Sequence, residues 1–173
     1  MGPGSGGAMT SRLDDRVDLY AALEAAGYET NPELKSFYQS SASGPERTTS
    51  TDMDSGKTVV YSTAETPQQS YTAEVKASYS DYSDMAIVVI TRQGGEGADM
   101  PRSMKGATGA REEDDHFLQL DKNETDLLEA VCSGPFKKVV VLLNIASVIE
   151  AGFLTDPEYY AYQQDIDAAL WIG

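Results

Sequence analysis

Two apolar runs stand out in the second half of the chain, MAIVVIT at 85–91 and KKVVVLLN at 137–144. Their large and often β-branched residues follow one another without polar alternation, which is typical of strands buried on both faces. Between them, residues 120–134 show helical spacing, with Asp121 as N-cap and Glu124 at the reciprocal position of a capping box. This alternation predicts an α/β fold, a three-layer sandwich whose mostly parallel sheet is flanked by helices.

Weaker patterns extend this arrangement to the rest of the chain. Helices are predicted at 11–29, 31–39 and 71–83, a short helix at 156–164, and a last strand at 165–173. Ser11 is the expected cap of the first helix and Gly27 its end, while Asn31 caps the second. Residues 40–70 are rich in Ser, Thr, Gly and Pro, which predicts a long surface excursion with one strand, KTVVYS.

Charge narrows the range of partners. The chain has 28 acidic residues against 13 basic ones, a formal net charge of −15. Nucleic-acid binding needs clustered Lys and Arg, so this class is excluded. No apolar run approaches the roughly 20 residues that span a bilayer, and no secretory signal pattern opens the sequence, so we expect no membrane partner. Whether the protein is cytoplasmic or secreted is left open.

Metal and cofactor chemistry has little support in the residues. The chain has one histidine, His116, which is too few for a His/Cys metal cluster. It has one cysteine, Cys132, which cannot form an internal disulfide. No phosphate-binding glycine motif is present. We therefore expect no metal and no cofactor. Cys132 lies in a helical pattern and is expected to be a small buried side chain.

The loop RQGGEGAD directly follows the strand MAIVVIT. In open parallel sheets, the carboxyl ends of the strands form the ligand crevice, so this loop lies where a site is expected. Its glycines permit a tight, exposed turn that presents Glu96 without bulky neighbours. The residues alone leave two interpretations open, a flexible turn with a solvated glutamate and a loop that presents a working carboxylate.

Other candidates lie near the same edge. Asn144 and Ser147 follow the strand KKVVVLLN and would orient the loop, bind a ligand or simply stabilise a turn. The aromatic residues near the end of the chain would offer a stacking surface for a ligand, but their pattern favours packing; they are Tyr159, Tyr160, Tyr162 and Trp171.

Several blocks together carry a family resemblance. RQGGEGADM, HFLQLDKNETDLLEAV, KKVVVLLNIASVIEAGFLTDP and DIDAALWIG occur in that order. With the earlier segment from GSGGAMTSRLDD to NPELKSFY, they resemble the carboxy-terminal α/β-sandwich domain of glycoside hydrolase family 3, the β-glucosidase family. The resemblance spans nearly the whole chain, and residues 40–70 contribute little to it. We expect residues 1–173 to be a single, truncated domain of this type.

The resemblance implies a two-domain active site acting on a β-linked glucoside or oligosaccharide. A (β/α)8 barrel supplies an aspartate nucleophile, and the sandwich domain supplies a loop glutamate as general acid/base, which Glu96 matches. Arg92, Asp99, Asn144 and Ser147 are expected to bind substrate or orient the loop. Met100 stands where an arginine is usual in the family.

The chain contains neither the barrel nor a nucleophile motif, so we expect it to be inactive alone. A non-catalytic carbohydrate-binding or interaction module with the same fold is the alternative.

Overall fold

The computed structural model describes residues 17–40, 46–51, 58–92, 102–105, 112, 114–145, 148–158 and 160–172. The helices are α1 (Leu19–Ala25), α2 (Pro32–Gln39), α3 (Ala73–Ser78), α4 (Lys122–Cys132) and α5 (Gly152–Thr155). The strands are β1 (Glu46–Thr51), β2 (Thr58–Thr63), β3 (Ala86–Arg92), β4 (Val139–Ile145) and β5 (Ala168–Trp171). Two short 3₁₀ turns occupy Gln68–Ser70 and Gln163–Asp165.

The main sheet has the order β3-β4-β5, and all of its strands are parallel. The two apolar runs of the sequence are its neighbouring strands β3 and β4, with Val88 opposite Val141 and Arg92 opposite Ile145. The last predicted strand is β5, which pairs with β4. A parallel sheet with helices in the connections confirms the predicted α/β sandwich.

One face of the sheet is more deeply buried than the other. Along β3 the buried positions alternate at Val88, Ile90 and Arg92, so a guanidinium stands in line with two core residues. The apolar core joins this face to the helices and consists of Phe37, Tyr71, Val75, Val88, Ile90, Leu120, Leu127, Leu128, Val141, Phe153 and Tyr162.

Side-chain caps explain where the principal helices begin. Asn31 Oδ1 accepts hydrogen bonds from the backbone N–H groups of Glu33 and Leu34 at the start of α2. Asp121 and Glu124 form the predicted reciprocal capping box of α4. The first helix is shorter than predicted, because Asp18 caps it and it begins at Leu19. Ser11 lies outside the described residues. Gly27, with φ of 90°, follows its end as predicted.

Two local predictions were wrong. Within 40–70 the predicted strand KTVVYS is present as β2, but it pairs in an antiparallel hairpin with β1, a strand that was not predicted. The described residues within 156–164 do not form the predicted helix. Instead α5 ends before Asp156, whose backbone is extended (φ −111°, ψ 97°) because the residue before Pro157 is disfavoured in helical conformation.

Candidate functional site

The carboxyl edge of the sheet is where the sequence places its candidate site. The structure brings Arg92 and Asn144 to this edge, since Arg92 pairs with Ile145 and Thr91 with Asn144 in the β3–β4 register. Asn144 is half-buried. Glu96, Asp99 and Ser147 lie outside the described residues. Of the predicted site residues, the structure therefore describes two, and they are on adjacent strands.

Arg92 is 1% exposed and uses its whole guanidinium in hydrogen bonds to protein. Its Nη1 donates to Glu124 Oε1 (2.6 Å) and to the carbonyl of Thr91 (2.8 Å). Its Nη2 donates to Glu124 Oε2 (2.8 Å) and to the carbonyl of Gln119 (2.5 Å). Its Nε donates to the carbonyl of Phe117 (2.9 Å). An arginine has five N–H donors, and each has an acceptor here.

Glu124 is the partner that sequence reasoning left out, because its capping role already accounted for it. Its Oε2 accepts from the backbone N–H of Asp121 (2.8 Å) while the same carboxylate accepts both arms of the Arg92 fork. The ion pair has side-chain exposures of 0% and 5%. The available signal was a charged residue in phase with Val88 and Ile90, which calls for a buried partner of opposite charge.

The segment that leads into α4 is tied to the chain after β4. The backbone N–H of Glu150 donates to the carbonyl of Leu118 (3.0 Å), and His116 Nδ1 lies 3.4 Å from Glu150 Oε1. Ser103 forms an isolated antiparallel bridge with His116. Residues before α4 and after β4 thus meet at the same edge of the sheet that Arg92 occupies.

An apolar groove of about 240 Å³ lies beside this edge, lined by Leu143, Ile145, Val148, Ile149, Ala151 and Trp171. Trp171 was predicted to pack in a core strand, and this was wrong: its side chain is 66% exposed. β5 is the end strand of the main sheet, and the described part of the chain does not cover the indole there. Its Nε1 donates to the carbonyl of Ile145 (2.8 Å), which fixes the ring. Tyr162 is buried, and Tyr160 packs against the core as predicted.

Another carboxylate, Glu65, is half-buried and lies next to the start of α4. Its Oε1 accepts from Tyr71 Oη (2.7 Å), the backbone N–H of Thr66 (2.7 Å) and Tyr38 Oη (3.3 Å). The two phenol oxygens are 2.5 Å apart. Burial raises the pKa of the Glu65 carboxyl and the pKa values of both phenols. The carbonyl of Glu65 accepts from Asn123 Nδ2 (3.1 Å), which joins this cluster to α4.

Other chemistries have less support. In the ranges given above, no three His, Cys, Asp or Glu side chains are grouped as a metal site would require. Burial raises the pKa of the Cys132 thiol to about 11, so it is not activated as a nucleophile at neutral pH. No helix among the described residues has the length and apolar character to cross a membrane.

Comparisons with known proteins find similarity to solved structures only. No protein-family model and no curated protein sequence matches the chain. Among solved structures it is similar to β-glucosidase 3B from Thermotoga neapolitana in its complexes with α-D-glucose and with glycerol. The TM-scores are 0.57 and 0.55 at 20% identity, over 97% and 96% of this chain. A β-glucosidase from Paenibacillus barengoltzii matches 64% of this chain at 29% identity, with a TM-score of 0.43.

The chain spans 21% and 20% of the length of the two Thermotoga chains and 10% of the Paenibacillus chain. The likeness to β-glucosidases implied by the sequence is therefore confirmed at the level of the fold. The chain has the α/β-sandwich fold of one portion of the longer Thermotoga protein.

Proposed function

We propose that this chain is the accessory domain of a retaining β-glycosidase and contributes Glu96 as general acid/base toward a β-linked glucoside or oligosaccharide. One observation carries the proposal. Arg92 ends β3 at the carboxyl edge of a parallel sheet, and Glu96 follows four residues later in a glycine-rich stretch. The shared fold with part of β-glucosidase 3B supports the class of enzyme.

The chemistry requires a second carboxylate from outside this chain. In retaining glycosidases, the two carboxyl groups are about 5–5.5 Å apart, so that one attacks the anomeric carbon while the other protonates the leaving oxygen. The acid then acts as a base and activates the water that hydrolyses the glycosyl-enzyme intermediate. We propose that a (β/α)8 barrel supplies the nucleophile. The reaction needs neither a metal nor a cofactor.

The remaining candidates have supporting roles in this proposal. Arg92 is a loop-orienting residue, because its guanidinium bonds are directed to protein groups at the base of the loop. Asn144 at the end of β4, with Asp99 and Ser147, would orient the loop or bind a sugar hydroxyl.

The decisive experiment uses the enzyme with its barrel restored and compares Glu96→Ala with wild type on two aryl or alkyl glucosides of different leaving-group pKa. Loss of the acid slows the poor leaving group far more, by about 10²–10⁴-fold, because an activated leaving group needs little protonation. Azide then restores turnover of the activated substrate and gives a glycosyl azide of retained configuration.

Glu112→Ala is the matched control, since Glu112 is an exposed glutamate in the same connection between β3 and α4. Glu112→Ala should change the turnover rate of neither substrate. Equal loss on both substrates for Glu96→Ala, with no azide product, would remove Glu96 from the chemistry.

A non-catalytic carbohydrate-binding or interaction module is the second candidate, and the exposed, hydrogen-bonded Trp171 is the observation that favours it. Sugar rings stack on such indoles. Calorimetric titration of the chain with a β-linked oligosaccharide tests this. Trp171→Ala should abolish binding, Tyr28→Ala, at another exposed aromatic, should retain it, and Glu96→Gln should leave it unchanged.

A further inference from the structure

The Arg92 cluster, which we define as Arg92, Glu124 and the carbonyl groups of Phe117 and Gln119, joins two points that are far apart in sequence. Arg92 is the last residue of β3, whereas Phe117 and Gln119 lie just before α4. The guanidinium bonds to both carbonyls, at 2.9 Å and 2.5 Å. One side chain therefore connects the start and the end of the stretch 93–116.

Glu124 determines how that guanidinium is oriented. Both of its oxygens accept from Arg92, and a planar fork held at two points has one orientation relative to its partner. The carboxylate is itself fixed, because Oε2 also accepts from the backbone N–H of Asp121 in the capping box of α4. The first turn of α4 thus sets the direction in which Arg92 reaches the two carbonyls.

Stability does not account for a buried ion pair at this position. Removing two charges from water carries a desolvation cost, and well-packed apolar replacements of such pairs are often neutral or stabilising. Arg92 is in phase with Val88 and Ile90, where an apolar residue would continue the core. An apolar pair, however, could not hydrogen-bond to Phe117 and Gln119.

We infer that Glu124 is a positioning residue: acting through Arg92, it holds the two ends of the stretch 93–116 together at the carboxyl edge of the sheet. Its importance for catalysis rests on the proposed function, because Glu96 lies within that stretch. The coupling between the two ends of the stretch 93–116 does not rest on the proposed function. The coupling and the proposed function can therefore fail separately.

Residue-resolved amide hydrogen exchange on the full 173-residue chain tests the coupling. Two amides report on the segment before α4: Glu150 N–H, which bonds to Leu118 O, and Gln119 N–H, which bonds to His116 O. Glu124→Gln keeps the side-chain shape and removes the charge. We expect these amides to exchange about ten- to a hundredfold faster, with little change within β3 and β4.

The matched control is Asp126→Asn, the same carboxylate-to-amide change in the same helix but in the exposed pair with Lys122. It should leave the reporter amides unchanged. Two results in Glu124→Gln would overturn the inference. One is unchanged amide exchange at Glu150 and Gln119, and the other is exchange that accelerates no more at these two amides than in β3 and β4.

A double variant keeps the test decisive if Glu124→Gln does not fold. Arg92→Met/Glu124→Leu replaces both charges with apolar groups and should fold, because no unpaired buried charge remains. A purely structural pair predicts slow exchange everywhere in this variant. A positioning pair predicts that the two reporter amides still exchange about ten- to a hundredfold faster in an otherwise protected chain.

Kinetics with the barrel restored supply the catalytic readout. Glu124→Gln should lower kcat on a poor leaving group about tenfold or more and change KM by less than about threefold, as expected for a misplaced acid. Equal kcat in variant and wild type would overturn the catalytic part. If Glu96→Ala shows no leaving-group signature, the proposed function fails while the exchange result still decides the role of Glu124.

Discussion

Tyr71 donates a hydrogen bond of 2.7 Å to the carboxylate of Glu65, and yet the pKa of that carboxyl is raised above its usual value of 4.5. Burial raises the pKa by penalising the charged form, and this outweighs the opposing hydrogen bonds from Tyr71, the backbone of Thr66 and Tyr38. The folded chain therefore binds the Glu65 proton more tightly than the unfolded chain does.

Glu65→Gln should change how stability depends on pH. Because the folded pKa is raised, the stabilising contribution of Glu65 is full below 4.5 and is lost as pH rises through the folded value. The wild type should therefore lose stability relative to Glu65→Gln as pH rises above 4.5, as measured by urea unfolding at several pH values. Gln retains an oxygen that accepts from Tyr71.

Glu24→Gln provides a control of opposite sign. A hydrogen bond from Lys35 lowers the pKa of the Glu24 carboxyl, so its contribution is present above 4.5 and is lost as pH falls. Glu24 is exposed, so this effect should be small and should weaken with salt. Parallel pH profiles of wild type and Glu65→Gln would contradict the assignment for Glu65.

The Arg92–Glu124 pair makes a second prediction, on stability. Arg92→Met leaves a buried carboxylate without its cation and should lower the free energy of unfolding by about 3–5 kcal/mol. Arg92→Met/Glu124→Leu should recover most of that loss, because no unpaired charge remains. Urea unfolding of both single variants and the double variant measures the difference. Additive losses would contradict direct coupling.

The strands of the main sheet were predictable because continuous apolar runs have few other stable outcomes. The hairpin was harder: β1 reads ERTTST, which contains no large apolar residue, and it is a strand by virtue of its pairing with β2. Trp171 was misjudged for a related reason. An apolar strand indicates burial only if a layer covers it, and whether one does is a tertiary property.

The candidate site was predictable in its location but not in its contacts. Sequence order placed the polar residues at strand ends, and the register puts Arg92 and Asn144 on adjacent strands there. The pairing of Arg92 with Glu124 joins residues 32 positions apart and depends on how α4 packs against β3. Local spacing indicates that Arg92 needs a buried partner but does not identify Glu124 as that partner.

Gly27 makes a third prediction, about backbone conformation. Its φ of 90° is unfavourable for residues with a Cβ, so Gly27→Ala should lower stability by about 1–2 kcal/mol. Gly152→Ala is the matched control, because its added Cβ meets no atom within 4 Å and its φ is not positive. Thermal unfolding should give a lower Tm for the first and an unchanged or higher Tm for the second.

The isolated chain should show no measurable turnover of an aryl β-glucoside. A single general acid is worth about 10²–10⁴-fold, which is far below the total acceleration of a glycosidase, and the nucleophile is expected from the barrel. Among the described residues, Glu150 is a half-exposed carboxylate at the same edge of the sheet, where it is paired with His116. The purified wild-type chain and its Glu96→Gln and Glu150→Gln variants should therefore be assayed for turnover of the aryl β-glucoside. Turnover that either substitution abolishes would show that the chain completes its own pair of carboxylates.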